Sequence, residues 1–410
     1  MMKKQLVFKQ DFTPFDLPGG RGIVVAQCIR AGNFVCITGQ TALTLDGRMV
    51  AAGDPVAQAR QACENIKALV EMAGGRVSDV VKLVVYVTDR AHRRVTYPVI
   101  REYFPDVWPC GTGYIVPGLA REELLIEMDA WAFIDDATTR KQLIRAHDVT
   151  GLGVPGASGL AAQAYRAGNL VYLQGQVGWT LDAKPVGRGD PAEQARQAME
   201  NLKALMELAG GSLGDIVRVV TTVTRREDRA VTYPVVKRYW PGLPPPGTGL
   251  IVDGLATEDL KFEIDAWGFI DTPSARKRVV RSHDLAAAGM LGSTGRAAQC
   301  VRAGNWVFLQ GQVGWTLEGE LVGIGDPAEQ ARQAMQNVKA LMELAGGSLA
   351  DVVRVVVYVT DRSVRESAYP VIREFWGGLW PCGTGVVVKG LARPEMLLEI
   401  DAYGFVDDPA

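Results

Sequence analysis

Apolar and polar residues alternate in the middle of the chain with the periods expected of strands and helices. The segments AQAYRAGN and LVYLQGQV lie on either side of a turn at Gly168-Asn169, and this arrangement predicts two paired strands. Asp190, followed by Pro191 and by Glu193, has the composition of a helix N-terminus with a capping box. A strand pair leading into a capped helix is therefore predicted.

The capped helix is followed by further elements of both kinds. Its apolar positions fall on one face at three- and four-residue spacing: Ala195, Met199, Leu202 and Met206. Gly210-Gly211 marks its end. Residues 216–223, 250–252 and 260–269 predict strands, and 231–240 predict a shorter second helix. The unit is ββαβαββ, an α+β arrangement of one sheet with both helices on the same face. Three Tyr-Pro dipeptides are predicted to begin the second helices: Tyr97-Pro98, Tyr233-Pro234 and Tyr369-Pro370.

The same unit occurs three times along the chain. Gln27, Gln163 and Gln299 recur at a spacing of 136 residues, as do the arginines of the shared QARQA segment. This period is too long for a solenoid module, so each copy is expected to have its own core. We predict three domains, at residues 1–136, 137–272 and 273–410. A sheet with its helices on one side leaves the other side to be covered, so we expect a closed pseudo-threefold ring within one monomeric chain.

Composition narrows the range of functions. The 410 residues carry 44 Lys+Arg against 46 Asp+Glu, a formal net charge of -2 that gives no bulk attraction to nucleic acid or to a membrane surface. No apolar run reaches the length that spans a bilayer. The six cysteines show no C-x-x-C pairing and there are only three histidines. We expect a cytoplasmic protein with no metal site, no cofactor and a small molecule as its only partner.

Several spaced motifs carry a family resemblance through each copy. The string AGNxVxxxGQ, the helix QARQAxxNxKALxExAGG, the strand DVVRVVVYVTD and the final LLEIDA resemble the RidA (YjgF) family of reactive-intermediate deaminases. The resemblance implies a chorismate-mutase-like fold, a trimeric arrangement with pockets between subunits, and hydrolysis of enamines and imines to ketoacids and ammonia. By resemblance, this chain is a pseudo-trimer with up to three clefts.

The family motif differs from this chain at one central position. Deaminating members place a substrate-clamping arginine in a Pro-x-Arg-Ser/Thr motif, and the matching segments here are PCGTG, PPGTG and PCGTG. Glycine stands at the arginine position in all three copies: Gly111, Gly247 and Gly383. The family's water-positioning acid is retained at Glu127, Glu263 and Glu399. The resemblance therefore implies a variant without the clamp, with room for a bulkier or uncharged substrate.

The three glutamates are the predicted catalytic residues. On an alternating strand each faces away from its apolar neighbours, toward solvent or a cleft, where a carboxylate can hold or deprotonate water. A structural hydrogen-bond acceptor between repeats is the alternative. The G-T-G segments are predicted to be turns whose backbone N–H groups, with the hydroxyls of Thr112, Thr248 and Thr384, cradle an anion or oxyanion. A tight turn or bulge that binds no ligand is the alternative.

Other residues beside these segments complete the predicted substrate site. Cys110 and Cys382 adjoin the glycines, although Pro246 in repeat two and the lack of a related histidine base argue against a cysteine nucleophile. Trp179 and Trp315 are candidate cleft walls, or core residues, and Gln174 and Gln310 can hydrogen-bond a planar substrate. His147-Asp148 and His283-Asp284 have no counterpart at the 136-residue step in repeat one and are interpreted as linker packing.

The sequence predicts a hydrolase or deaminase that cleaves a C–N bond in an imine, enamine or amide-like molecule, with water activated by glutamate. A non-catalytic small-molecule sensor is the first alternative. A ring-opening amidohydrolase is the second, although no serine–lysine dyad is evident in the sequence. The copies differ at the Trp and Cys positions, so one or two clefts are expected to carry the activity.

Overall fold

Three similar α+β repeats make up the computed structural model, which describes residues 4–15, 17–285, 292 and 295–407. Repeat one contains β1 Lys4–Asp11, β2 Val24–Ala31, β3 Phe34–Gln40, α1 Pro55–Met72, β4 Val80–Val87, α2 Arg90–Tyr103, β5 Val107–Trp108, β6 Cys110–Ile115 and β7 Ile126–Phe133. Repeat two contains β8 Lys141–Asp148, β9 Leu160–Ala167, β10 Leu170–Leu173, β11 Gln176–Val177, α3 Pro191–Leu208, β12 Ile216–Val223, α4 Arg229–Tyr239, β13 Gly247–Ile251 and β14 Phe262–Phe269. Repeat three contains β15 Lys277–Asp284, β16 Arg296–Ala303, β17 Trp306–Leu309, α5 Pro327–Leu344, β18 Val352–Val359, α6 Val364–Phe375, β19 Cys382–Val387 and β20 Leu398–Phe405. The predicted ββαβαββ order is confirmed, with one further strand (β1, β8 or β15) at the start of each repeat.

The capped helix of repeat two follows its sequence signals. The Asp190 carboxylate accepts hydrogen bonds from the backbone N–H groups of Ala192 and Glu193, and the helix runs to Leu208 with the predicted apolar residues buried. Glu193 forms an ion pair with Arg196 at 2.6 Å. Such exposed pairs contribute little to stability.

The second helix of each repeat begins earlier than predicted. In repeat one it starts at Arg90, with the Asp89 carboxylate accepting from the N–H of Ala91, and Pro98 lies inside the helix. The prediction that Tyr-Pro opens this helix is therefore wrong. Proline favours the first turn of a helix but does not require it, and here the cap formed by Asp89 sets the start.

Each repeat folds into a mixed sheet with the same strand order. Repeat one has the order β1-β2-β3-β7-β4-β6 and repeat three the order β15-β16-β17-β20-β18-β19, with the last pair of strands parallel in each. In repeat two the short strand β5 of repeat one joins the sheet by pairing parallel to β9. The pairing of β5 with β9 links the first two repeats through the backbone.

The faces of the sheets that carry no helices pack against one another. One buried apolar cluster draws residues from all three repeats. At its centre Trp131, Trp267 and Tyr403 occupy equivalent positions, and each ring contacts both of the others at centroid distances of 4.6 to 5.5 Å. Three equivalent residues that all touch place the three repeats around a shared centre.

Backbone hydrogen bonds join each repeat to both of the others. Ile115 N–H donates to the Gly254 carbonyl at 2.9 Å, and Ile251 N–H donates to the Gly390 carbonyl at 3.0 Å. Val387 N–H donates to the Gly118 carbonyl at 3.0 Å, from repeat three back to repeat one. No helix in the described residues is long and apolar enough to cross a membrane.

Candidate functional site

Three cavities lie where the repeats meet, and each contains one of the predicted glutamates. We name them the Glu127 cleft, the Glu263 cleft and the Glu399 cleft, with volumes of about 80, 130 and 160 Å³. The wall that bears the glutamate comes from one repeat, and the G-T-G wall comes from another: repeat three for Glu127, repeat one for Glu263 and repeat two for Glu399. Every cleft is therefore built from two repeats.

The three glutamates are buried at equivalent places on β7, β14 and β20, with only 4 to 5% of each residue exposed. Burial raises the pKa of each carboxyl to about 8, and the negative charge of the aspartate two residues along the strand adds to the effect. An arginine across the seam partly opposes the rise in each pKa. At neutral pH these carboxyls are mostly protonated, and they titrate in the range useful for acid–base chemistry.

A glycine before each cleft glutamine makes room for the glutamate. A Cβ atom on Gly175 would overlap the Glu263 carboxylate and would lie 2.9 Å from the Thr112 hydroxyl oxygen. Gly39 and Gly311 face the same obstacle beside Glu127 and Glu399. A Cβ on Gly111, in contrast, would have only the Pro109 carbonyl oxygen near it, at 3.8 Å.

We therefore expect Gly175→Ala to destabilise the protein by about 1–3 kcal/mol, as overpacking of a buried site does. The matched variant Gly111→Ala, in the same cleft, should stay within about 0.5 kcal/mol of the parent protein. Urea unfolding of the two variants measures both effects. Equal stabilities would show that the carboxyl is not held against Gly175.

The G-T-G segments are strands, contrary to the prediction that they are turns. They lie in β6, β13 and β19 and pair parallel to β4, β12 and β18. None of their glycines has a positive φ. Gly111, Gly247 and Gly383 all line the clefts, where the family places its arginine.

The threonine hydroxyls between these glycines are committed to buried ion pairs. Thr112 Oγ1 donates to Asp265 at 2.7 Å and accepts from Lys82 Nζ at 3.0 Å. Thr248 is held in the same way between Asp401 and Arg218, and Thr384 between Asp129 and Arg354. Each hydroxyl proton is used within the protein, so these threonines do not form the predicted anion cradle, although all three line the clefts.

The two cysteines lie outside the clefts, in the core shared by the three sheets. Cys110 Sγ donates to the Tyr172 carbonyl at 3.3 Å and Cys382 Sγ to the Cys36 carbonyl at 3.2 Å. Burial raises the pKa of both thiols to about 12. Since side chains alternate along a strand, Cys110 faces away from Gly111 and is not a substrate-binding residue.

The predicted amide and indole residues do line two of the clefts. Gln174 and Trp179 belong to the Glu263 cleft, and Gln310 and Trp315 to the Glu399 cleft. Both indole N–H groups are buried without a protein partner. These residues therefore leave hydrogen-bonding capacity at the walls of both clefts.

One arginine in each cleft was missed by the sequence analysis: Arg93, Arg229 and Arg365. Each guanidinium lies over the ring of the tyrosine four residues later, at 4.1 to 4.3 Å from its centroid. The arginines are only 2 to 6% exposed, and each Nε lacks a partner. Within the described ranges no carboxylate lies within ion-pairing distance of them. Each cleft thus holds a buried positive charge without a bound counter-charge.

The misplaced helix start explains why the arginines were missed. If the second helix began at Tyr97, Arg93 would precede it, but inside the helix residues four apart lie on one face. The repeated signal was an arginine four residues before every Tyr-Pro dipeptide. A Cβ on Gly113 would overlap the Tyr97 hydroxyl, so the last glycine of G-T-G gives this pair its space.

His147 and His283 also line clefts, although the sequence analysis interpreted them as linker packing. His147 lies in the Glu263 cleft and His283 in the Glu399 cleft.

Comparison with known proteins identifies the class to which this fold and these seams belong. The family model described as Endoribonuclease L-PSP matches the chain three times, at residues 25–134, 155–270 and 290–406. The chain therefore belongs to this family, and the resemblance to RidA (YjgF) proteins is confirmed.

Individual relatives match one repeat at a time. The RutC family protein PH0854 of Pyrococcus horikoshii is 37% identical over 112 residues, which are 27% of this chain and 87% of that protein. A 2-iminobutanoate/2-iminopropanoate deaminase of Dermatophagoides farinae is 30% identical over 99 residues, 24% of this chain and 77% of that protein. The crystal structure of a chorismatase matches 80% of this chain and 93% of its own, with a TM-score of 0.51 and 14% identity. That likeness shows the fold alone.

Proposed function

We propose that this protein hydrolyses a C–N bond in a small anionic imine, enamine or amide, at clefts between its repeats. The observation that carries the proposal is the pairing in each cleft of a buried glutamate of raised pKa with a buried arginine that has no counter-charge. The deaminase of Dermatophagoides farinae, similar to one repeat, acts by its name on two imino acids. Hydrolysis of a C–N bond is consistent with that relative.

The glutamate serves as the group that moves protons. In its ionised form it accepts a proton from water while the water oxygen bonds to the carbon of C=N and the π electron pair passes to nitrogen. In its protonated form it returns a proton to the nitrogen, after which the C–N bond breaks. The products are a carbonyl compound and ammonia or an amine, and one water is consumed. A pKa near 8 lets one carboxyl perform both transfers at neutral pH.

The arginine sets the charge of the substrate. A buried guanidinium is costly unless an anion pairs with it, and a carboxylate can do so through two parallel hydrogen bonds. This position differs from that of the family's clamp, because Arg93 lies on α2 and Gly111 lies on β6. A clamp moved to the helix accounts for the loss of arginine at Gly111 without requiring an uncharged substrate.

We propose, as part of the same account, that the chain is a monomeric closed ring with pseudo-threefold symmetry. The three equivalent hydrogen bonds from repeat to repeat support the ring, as does the contact among Trp131, Trp267 and Tyr403. Fusion of the copies makes the assembly intramolecular, so the clefts form at any protein concentration.

Ammonia or amine release over a panel of imines, enamines and cyclic amides tests this function. Each carboxylate compound should be paired with its methyl ester. We expect turnover of the carboxylates and a loss of kcat/KM of about 10- to 1000-fold for the esters, since a bidentate charged pair is lost. Release from the esters alone would contradict the role of the arginine. Tight binding with no release from any compound would favour the sensor, and release confined to cyclic amides would favour the ring-opening amidohydrolase.

A further inference from the structure

The first strand of each repeat ends at the mouth of a cleft, and its residue there differs between repeats. His147 on β8 lies opposite Ala161, and His283 on β15 lies opposite Ala297. In repeat one the residue opposite Val25, which is equivalent to these alanines, is Gln10. Gln10 lines the Glu127 cleft and donates to the Leu45 carbonyl at 2.6 Å. Two clefts therefore carry an imidazole where the third carries an amide.

A one-residue offset conceals this equivalence in the sequence. Gln10 and His147 are 137 residues apart, whereas His147 and His283 are 136 apart. The loop in repeat one has one extra residue between β1 and the main register, so a uniform step aligns Asp11 with His147. The strand pairing, which places Asp11 opposite Val24 and Asp148 opposite Leu160, gives the correct alignment.

Other walls divide the clefts in the same way. Thr38 and Leu43 stand in the Glu127 cleft where the other two have glutamine and tryptophan. Phe15 and Leu17 also fill the Glu127 cleft, and its volume is the smallest of the three, about 80 Å³. The Glu263 and Glu399 clefts are thus two copies of one site, and the Glu127 cleft is a different one.

Both imidazoles have ring nitrogens available toward the clefts. Neither ring nitrogen of His147 has a partner in the protein, and Nε2 of His283 also lacks one, while its ring hydrogen-bonds Gln310. Burial is the first cause lowering the pKa of both rings, and that of His283 falls to about 4. Each ring is accordingly neutral at neutral pH and has a nitrogen that can accept a proton.

We propose that His147 and His283 are catalytic bases in two equivalent hydrolytic clefts, and that the Glu127 cleft, which lacks such a base, does not turn over the same substrate. In these two clefts the imidazole accepts a proton from the attacking water as its oxygen bonds to the C=N carbon. The protonated glutamate gives its proton to the nitrogen that receives the electron pair. A neutral histidine and a protonated glutamate are the forms that each environment favours. This inference rests on the proposed function, and it names the group that receives the proton from water.

The test compares His147→Gln/His283→Gln with the parent protein, using the carboxylate imine that the parent turns over best. Glutamine is the residue found at this position in repeat one, so the variant is expected to fold. We expect kcat/KM to fall by at least about 100-fold, as for loss of a general base. The dissociation constant of the product carboxylate should stay within about twofold, because the arginines are untouched. Gln10→Ala, the matched change in the Glu127 cleft, should leave kcat/KM unchanged.

Each outcome separates the two proposals. No turnover by the parent protein would overturn the proposed function itself. Turnover by the parent together with full activity in the double variant would overturn the role of the histidines alone. Weakened product binding with unchanged kcat would make them binding residues and would also overturn it. A large loss on Gln10→Ala would overturn the inequivalence of the clefts.

Discussion

Replacing Glu263 and Glu399 together by glutamine should lower kcat/KM for C–N hydrolysis by about 10²- to 10⁴-fold, the usual effect of removing a general acid or base. Glutamine has the shape of the protonated carboxyl but neither gives nor takes a proton. The matched control is Glu207→Gln/Glu343→Gln, which makes the same change at exposed positions of α3 and α5. Activity of the cleft variant equal to that of the control would remove the glutamates from the mechanism.

The same cleft variant should be more stable than the parent protein at pH 7 to 8. The folded-state pKa of each carboxyl, about 8, lies above the ordinary value of 4.5, so the folded state holds protons that the unfolded state has released. The free energy of unfolding of the parent therefore declines as pH rises from about 4.5 to about 8, and glutamine removes that decline. Urea unfolding at pH 5 and at pH 8 measures the difference. A stability gain that is larger at pH 5 would contradict the raised pKa.

Breaking one ion pair between repeats should cost about 3–5 kcal/mol, the effect of leaving a buried charge uncompensated. Arg218 and Asp401 are 2.6 Å apart and essentially unexposed, so Asp401→Asn leaves the guanidinium without its partner. The double variant Arg218→Met/Asp401→Leu removes both charges and should recover most of the loss.

An exposed pair supplies the control for this measurement. Arg48 and Asp46 are 3.1 Å apart with 79% and 65% of their side chains exposed, and Arg48→Ala should cost less than about 1 kcal/mol. Urea unfolding of all three variants gives the comparison. A cost for Asp401→Asn as small as that for Arg48→Ala would show that the seam does not depend on the buried pairs.

Local signals in the sequence were sufficient for the repeat and for much of each unit. A cap such as Asp190 and the spacing of the apolar residues after it act within one helix, so they can be interpreted without knowledge of the partners. The extra first strand and the one-residue offset of Gln10 escaped, because strand pairing sets that register and a constant step along the chain does not.

The glutamates could be placed in clefts by alternation, but the rest of the site depended on the fold. Whether G-T-G is a turn or a strand decides where its neighbours face, and as a strand it turns Cys110 toward the shared core. The charge of Arg93 matters only because a different repeat places Glu263 across the seam. No pattern within one repeat contains that information.

The most direct test of the central claim asks which arginine shares a cleft with which glutamate. Two double variants, each made together with Glu127→Gln, are compared for kcat/KM with the Glu127→Gln protein. Arg93→Met/Glu263→Gln changes one cleft twice and should retain about half of the activity, because the Glu399 cleft is intact. Arg229→Met/Glu263→Gln damages both clefts and should retain less than about 5%. Half activity in the second variant and almost none in the first would place each site within one repeat and contradict the account.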